Sequence, residues 1–256
     1  MKFRVFSDIH NEFFNYEEMF YKIEEMEEDK DSTLILAGDI CLLSDFSFFK
    51  PFFDRVSKQF KNVFYIGGNH EWYHGDISTM KVEDVASQYD NIFTKELILE
   101  EEKIVIIGDT LWSDFQEENP LVMEESRLRM NDFYLIKKDK QKFLPFDAFS
   151  LHTKMKSRIF EQVDRYSEKG YKVVVVTHHQ PSYQSIIPMH KGDILNGAYC
   201  SDLDEEIKTH KIDYWIAGHV HTAMDYNIGE TKVIVNPVGY PTQETGYDKF
   251  KSFEIK

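Results

Sequence analysis

The chain has 256 residues, 42% of them hydrophobic and 15% aromatic, which is enough apolar surface to bury a sizeable core. Its 45 Asp and Glu outnumber its 30 Lys and Arg, and the resulting formal charge of −15 repels duplex nucleic acid at long range unless bound cations compensate. Two cysteines, Cys41 and Cys200, are too few for a disulfide framework and have no metal-site spacing; they are read as small buried or half-buried thiols.

In chain order, residues 2–7 alternate as a strand, 16–29 carry apolar residues at helical spacing, and TLILAGD at 33–39 reads as a buried strand ending in Gly-Asp. A helix over 46–60 and a strand opening NVFYIGGNHEW at 62–72 complete a βαβαβ pattern. A strand is expected at 103–109, a long helix at 145–168, a fully buried strand at 172–179, a helix at 201–210 and a strand at 212–221. Short alternating runs at 223–228, 231–235 and 250–255 close the chain as antiparallel additions. The acidic runs at 24–31 and 96–103 read as solvated faces and turns. Residues 110–145 lack clean periodicity and are expected to form an irregular excursion, serving as a cap.

Near-continuous apolar strands such as VVVV need cover on both faces, so an α/β fold is expected, a mixed two-sheet sandwich flanked by helices. No repeat or Pro/Gly/Ser-rich linker divides the chain, and residues 1–256 read as one domain. No stretch reaches the length of a membrane span and the first residues lack an apolar signal region; a cytoplasmic chain is expected.

Five of these strands end in groups able to bind metal: Asp8 and His10, Asp39, Asn69 and His70, His178, and His219 with His221. In open α/β sheets ligand sites gather beyond the carboxyl ends of the strands, so these residues are expected on one rim. At period 2, Asp8 and His10 share a side, as do His219 and His221. Each has a bland alternative: Asp39 as a helix cap, Asn69 as a turn residue, the histidines as hydrogen-bonded core groups. It is their recurrence at five strand ends that favours a metal site. His74, His152, His190 and His210 have no such context and read as surface or loop residues, His74 and His190 being the nearest to the motifs. Trp112 and Tyr134 read as core.

The series D8-x-H10, G38-D39, G68-N69-H70-E71, H178-x-x-P181 and G218-H219-x-H221 resembles the calcineurin-like metallophosphoesterase superfamily, in order and across most of the chain. The resemblance implies a four-layer α/β/β/α sandwich with two mixed β-sheets and a dinuclear centre of two divalent or trivalent ions. It implies that Asp8, His10 and His221 hold one ion, Asn69, His178 and His219 the other, that Asp39 bridges them, and that His70 serves as general acid. The N/O donor set without sulfur favours Mn, Fe or Zn. The implied reaction is hydrolysis of a phosphomonoester or phosphodiester bond by a metal-activated hydroxide, on a small phosphorylated or nucleotide substrate.

Protein phosphatases of this superfamily follow Gly-Asp with an Asp-Arg pair; here GDICLLSDF has no arginine, which weakens that alternative. The segment TLWSDF…RLRMNDFYLI is similar to small bacterial and phage phosphoesterases, and Arg127, Arg129 and Asn131 in it are candidate substrate-binding residues. A non-catalytic metal-binding interaction module is a further alternative, disfavoured by the complete ligand set and His70.

Overall fold

A computed structural model describes residues 1–14 and 20–255. In chain order it contains β1 (Lys2–Phe6), β2 (Thr33–Ala37), α1 (Phe46–Gln59), β3 (Asn62–Ile66), α2 (Val82–Ala86), β4 (Ile92–Phe93), β5 (Glu96–Leu99) and β6 (Ile104–Asp109). There follow α3 (Phe115–Glu118), α4 (Pro120–Arg129), α5 (Asp132–Leu135), the ribbon β7 (Lys137–Lys138) and β8 (Gln141–Lys142), and the long α6 (Pro145–Ser167). β9 (Lys172–Thr177), α7 (Asn196–Tyr199), α8 (Asp204–Thr209), β10 (Tyr214–Ala217), β11 (Met224–Ile228), β12 (Thr231–Val235) and β13 (Ser252–Glu254) complete the chain.

Two mixed sheets result. One runs β13-β1-β2-β3-β4, parallel except for β13; the other runs β11-β12-β10-β9-β6-β5, with a parallel centre and antiparallel edges at β5 and β11. Strand alternation sorts the core into layers. Phe3, Val5, Ile35 and Phe64 of the first sheet meet Ile106, Val174, Val176 and Ile216 of the second. The opposite faces pack outward: Phe6, Leu36 and Tyr65 against Phe49, Phe52 and Val56 of α1, and Val173, Val175 and Trp215 against Ile159, Phe160 and Val163 of α6. The layers are therefore helix, sheet, sheet, helix.

Several expectations change. The helix expected at 16–29 lies partly outside the described residues; its remainder is irregular, with a 3₁₀ turn at Glu27–Asp31. Asp29 in the supposedly solvated acidic run is buried, because it neutralises Arg4, also buried, through contacts of 3.1 and 3.0 Å. In the second acidic run, Glu96–Leu99 is an edge strand and only the residues after it form an exposed turn. Residues 110–145 mix irregular connections with the short helices α4 and α5 and a ribbon, α3 being a left-handed turn with positive φ at all four residues. The sequence hid α4 because few of its residues, Val122 and Ser126 among them, face the core. Trp112 is buried as expected, but Tyr134 is exposed, its hydroxyl donating to the Leu128 carbonyl. Cys41 and Cys200 are buried free thiols. Among the described residues no helix is long and apolar enough to cross a membrane.

Candidate dinuclear metal centre

Loops leaving the carboxyl ends of β1, β2 and β3 in one sheet and β9 and β10 in the other bring the polar residues to one rim. Period 2 is not what aligns them. Asp8, His10, Asp39, His219 and His221 all have positive φ, so the chain has left the strand and turns sharply at each. Such left-handed residues are strained, and backbone bonds hold them: Asp8 N–H donates to the Gly38 carbonyl at 2.9 Å and His10 N–H to the Asp39 carbonyl at 2.9 Å. Gly38 and Gly68 are required by close approach; a Cβ would come within 2.5 Å of His178 Nδ1 at the first and within 2.1 Å of Asp39 Oδ1 at the second.

Among the described residues three groups of donors form, one of which, His10, Glu12 and His70, shares His10 with the first of the two around Asp39. Asp8, His10 and His221 present ligand atoms within 4.8 Å of one another, and so do Asp39, His178 and His219. The hydrogen bonds on the far side of each ring fix which nitrogen faces inward. His10 Nδ1 donates to Glu12 Oε1 at 3.2 Å and His221 Nδ1 to Gln243 Oε1 at 2.7 Å, yet their Nε2 atoms face each other at 3.0 Å, with Asp8 Oδ1 3.3 Å from His221 Nε2. His178 Nδ1 donates to the Ala37 carbonyl at 2.9 Å, leaving Nε2 3.3 Å from Asp39 Oδ2 and 3.1 Å from Asn69 Oδ1. Asn69 is itself oriented by its amide group, which donates to Asp132 Oδ1 at 2.9 Å and to Tyr73 Oη at 3.1 Å. His219 Nε2 is buried with no hydrogen-bond partner among the described residues.

Ring nitrogens and acceptor oxygens therefore converge on two points, an arrangement that positive charge at each point, a proton or a bound cation, relieves. Asp39 lies between them: its Oδ2 is also 3.8 Å from His10 Nε2, while Oδ1 accepts from His70 N–H at 2.8 Å. These residues fit a pair of metal ions.

The electrostatics express the same demand for positive charge. Burial opposes a charge on His178, but the carboxylate of Asp39 outweighs it and pushes the ring up to about 10. Burial likewise opposes charge on His70, and Asp39 and Glu12 push it up to about 9. Asp39 is raised by burial but held well below the usual carboxylate range by His178 and His70. His179 is not part of either group; its ring stacks on His219 at 4.2 Å, and burial pushes it down to about 3.

Beside the centre lies a cavity of about 420 Å³. Its walls include Asn69, His70, His219 and His221 from the rim, Arg129 and Asn131 from the α4–α5 connection, and Ile186, His190 and Tyr199 from the segment after β9. Arg127 lies outside that lining, paired with Glu124 at 2.6 Å on the exposed face of α4. His74 is exposed and His210 packs on Phe160, whereas His152, expected at the surface, is buried in α6 with Nδ1 donating to the Leu111 carbonyl at 3.1 Å.

Sequence reasoning missed Glu12, Glu71, Tyr73 and Asp132. Glu71 is fully buried and accepts from the N–H groups of Asp39, Ile40 and Gly68 and from Tyr65 Oη, tying the β2 and β3 turns together. It stood in the quoted GNHE block without a role. Asp132 had no local signal, since its part is to orient Asn69 from 63 positions away.

The family model for calcineurin-like phosphoesterases matches residues 1–223. The chain belongs to that family. It is a metal-dependent phosphoester hydrolase. The phosphoesterase is 26% identical over 238 residues to an uncharacterized protein of Acanthamoeba polyphaga mimivirus, covering 87% of this chain and 83% of that one. Among solved structures it resembles the phosphopantetheinyl hydrolase of Mycobacterium tuberculosis, with TM-score 0.67, 18% identity and coverage of 94% and 90% of the two chains. A dimetal phosphatase from Danio rerio matches with TM-score 0.52 and 13% identity over 96% and 89% of the chains. A putative 5′-nucleotidase from Staphylococcus aureus matches with TM-score 0.53 and 16% identity, over 92% of this chain and 48% of that one. At these identities the structural matches speak to the fold.

Proposed function

We propose that the phosphoesterase hydrolyses a phosphomonoester or phosphodiester bond of a small phosphorylated or nucleotide substrate, in the cytoplasm, the whole chain working as one domain with part of 110–145 as a cap. Asp8, His10 and His221 hold one ion, Asn69, His178 and His219 the other, and Asp39 spans both. The imidazole and oxygen donors and the lack of sulfur suit Mn, Fe or Zn. When bound, such a pair of ions offsets phosphoryl charge and lowers the pKa of water held at the site.

The observation that carries this reading is the convergence of inward-facing imidazole nitrogens with carboxylate and amide oxygens, at 3.0 to 3.3 Å, with their opposite ring nitrogens already bonded. In the reaction water attacks phosphorus and gives up one proton to solvent, the bond to the leaving oxygen breaks, that oxygen takes a proton from His70, and His70 is reprotonated from solvent. Since His70 Nδ1 is engaged by Glu12 at 2.8 Å, Nε2 is the nitrogen that delivers it. Arg129 and Asn131, both on the cavity wall, are assigned to substrate binding. Arg127, outside that wall, has no support for such a role.

A small substrate is supported by the cavity, whose size falls in the roughly 300–1,000 Å³ range of small-molecule sites. Walls from two separate segments leave less room for a phosphoprotein than an open groove would. The phosphopantetheinyl hydrolase and nucleotidase neighbours carry names that point the same way. The test is a screen of protein loaded with Mn, Fe or Zn against bis(aryl) phosphodiesters, aryl phosphates, cyclic nucleotides and a phosphopeptide. Turnover of the small esters with little on the phosphopeptide is expected; the reverse order contradicts the assignment.

A further inference from the structure

Glu12 sits in the short turn Asn11–Phe13 that follows His10. The turn is anchored: Asn11 Nδ2 donates to the Ile40 carbonyl at 3.0 Å, and Tyr21 N–H donates to Asn11 Oδ1 at 2.9 Å. From there a single carboxylate oxygen, Glu12 Oε1, receives His10 Nδ1 at 3.2 Å and His70 Nδ1 at 2.8 Å, while Oε2 is buried without a partner among the described residues. The two rings meet edge to face at 4.3 Å, and Tyr73 covers the other side of His70 at 4.1 Å. A carboxylate buried to this extent has no use at a surface; among the described residues both of its hydrogen bonds are to imidazole N–H groups.

We infer that Glu12 is a positioning residue that orients two imidazoles at once, turning Nε2 of His10 toward the first metal group and Nε2 of His70 toward the leaving oxygen. The inference rests on the proposed acid role of His70. Without Glu12 the His70 ring loses the acceptor that distinguishes its two nitrogens, and a proton donor that spends time in the wrong orientation costs most where the leaving group needs protonation most. His10 loses the outer hydrogen bond that fixes its ring, a change that typically lowers metal affinity by about 10–100-fold.

The experiment compares wild type, Glu12→Ala, Glu12→Gln, His70→Ala and the Glu12→Ala/His70→Ala pair at saturating manganese. The substrates are aryl and alkyl phosphates of rising leaving-group pKa, and bound manganese is counted by elemental analysis and titration. Glu12→Ala is expected to lose about 10²-fold on alkyl esters and only a few-fold on nitrophenyl esters, within the range for loss of a general acid. Glu12→Gln, which keeps an acceptor oxygen, recovers part of that loss. The double variant is no worse than His70→Ala, because the two act as a unit. Two manganese ions are still bound at saturation, with the half-saturating concentration raised.

A uniform loss over all leaving groups in Glu12→Ala beside a graded loss in His70→Ala overturns the inference alone, as do additive losses in the double variant. Loss of one whole ion at saturation makes Glu12 a ligand and also overturns it. A flat dependence in His70→Ala itself overturns the acid assignment of His70, and the inference with it.

Discussion

Replacing Glu71 by Gln tests whether one buried carboxylate holds the metal-bearing turns in place. Its Oε2 accepts from Asp39 N–H at 3.0 Å and Gly68 N–H at 2.6 Å, and its Oε1 from Ile40 N–H at 2.8 Å and Tyr65 Oη at 3.0 Å. In Gln one of the two oxygens becomes a donor. If the amide nitrogen takes the place of Oε1 it can donate to Tyr65, but the Ile40 N–H then faces a donor; in the place of Oε2 it strands both Asp39 and Gly68. Either way at least one buried backbone N–H loses its acceptor, at about 1–3 kcal/mol; burial and Asp39 push the Glu71 carboxyl up to about 7, and above that pH the bonds that survive also lose their charge assistance. The sum is about 3 kcal/mol, or roughly 6–12 °C in Tm for a chain of this size. Because Asp39 hangs on one of these bonds, manganese affinity should fall as well. Thermal melting and manganese titration of Glu71→Gln read both effects. A Tm within about 2 °C of wild type together with unchanged affinity would refute the reasoning.

Arg4→Met should destabilise by about 3–5 kcal/mol, since it leaves Asp29 buried without its cation. Urea unfolding measures this, and Asp29→Leu in the same background should recover part of it; a loss below about 1 kcal/mol contradicts the buried pair. Burial holds His152 down to about 4 from an ordinary 6.5, so the stability of its neutral form is complete above 6.5 and about 3 kcal/mol of it is lost as the pH falls to 4. His152→Gln should unfold less readily on acidification by that difference, and parallel curves for the two proteins would rule it out. Asp39→Ala should lose bound metal and turnover together; retention of two ions at full occupancy would deny Asp39 its place between the groups.

What the sequence revealed and what it hid follow from the range over which each residue acts. The seven candidate ligands were legible because each follows an apolar strand with its own local signal, and the fold brings strand ends together without further information. Asp8 and His10 come together through positive φ at both, and not through the strand alternation expected of them. Asp132 was illegible because it acts on Asn69 from 63 positions away, and Glu12 because its bond to His70 spans 58 positions and its local bond to His10 leaves no pattern in the sequence. Asp29 was misread as solvated because nothing local announces that Arg4, 25 positions earlier, is buried against it. The α4 and α5 helices escaped because each is short and buries few side chains, Val122 and Ser126 in the first and Asp132 and Phe133 in the second, so neither presents an amphipathic stripe.

The most direct test of the account is anomalous diffraction from crystals grown with manganese or zinc. Two peaks should stand about 3.5–4 Å apart, one among Asp8, His10 and His221 and one among Asn69, His178 and His219, with the Asp39 carboxylate between them. A single peak elsewhere, or none among these seven side chains, would contradict it.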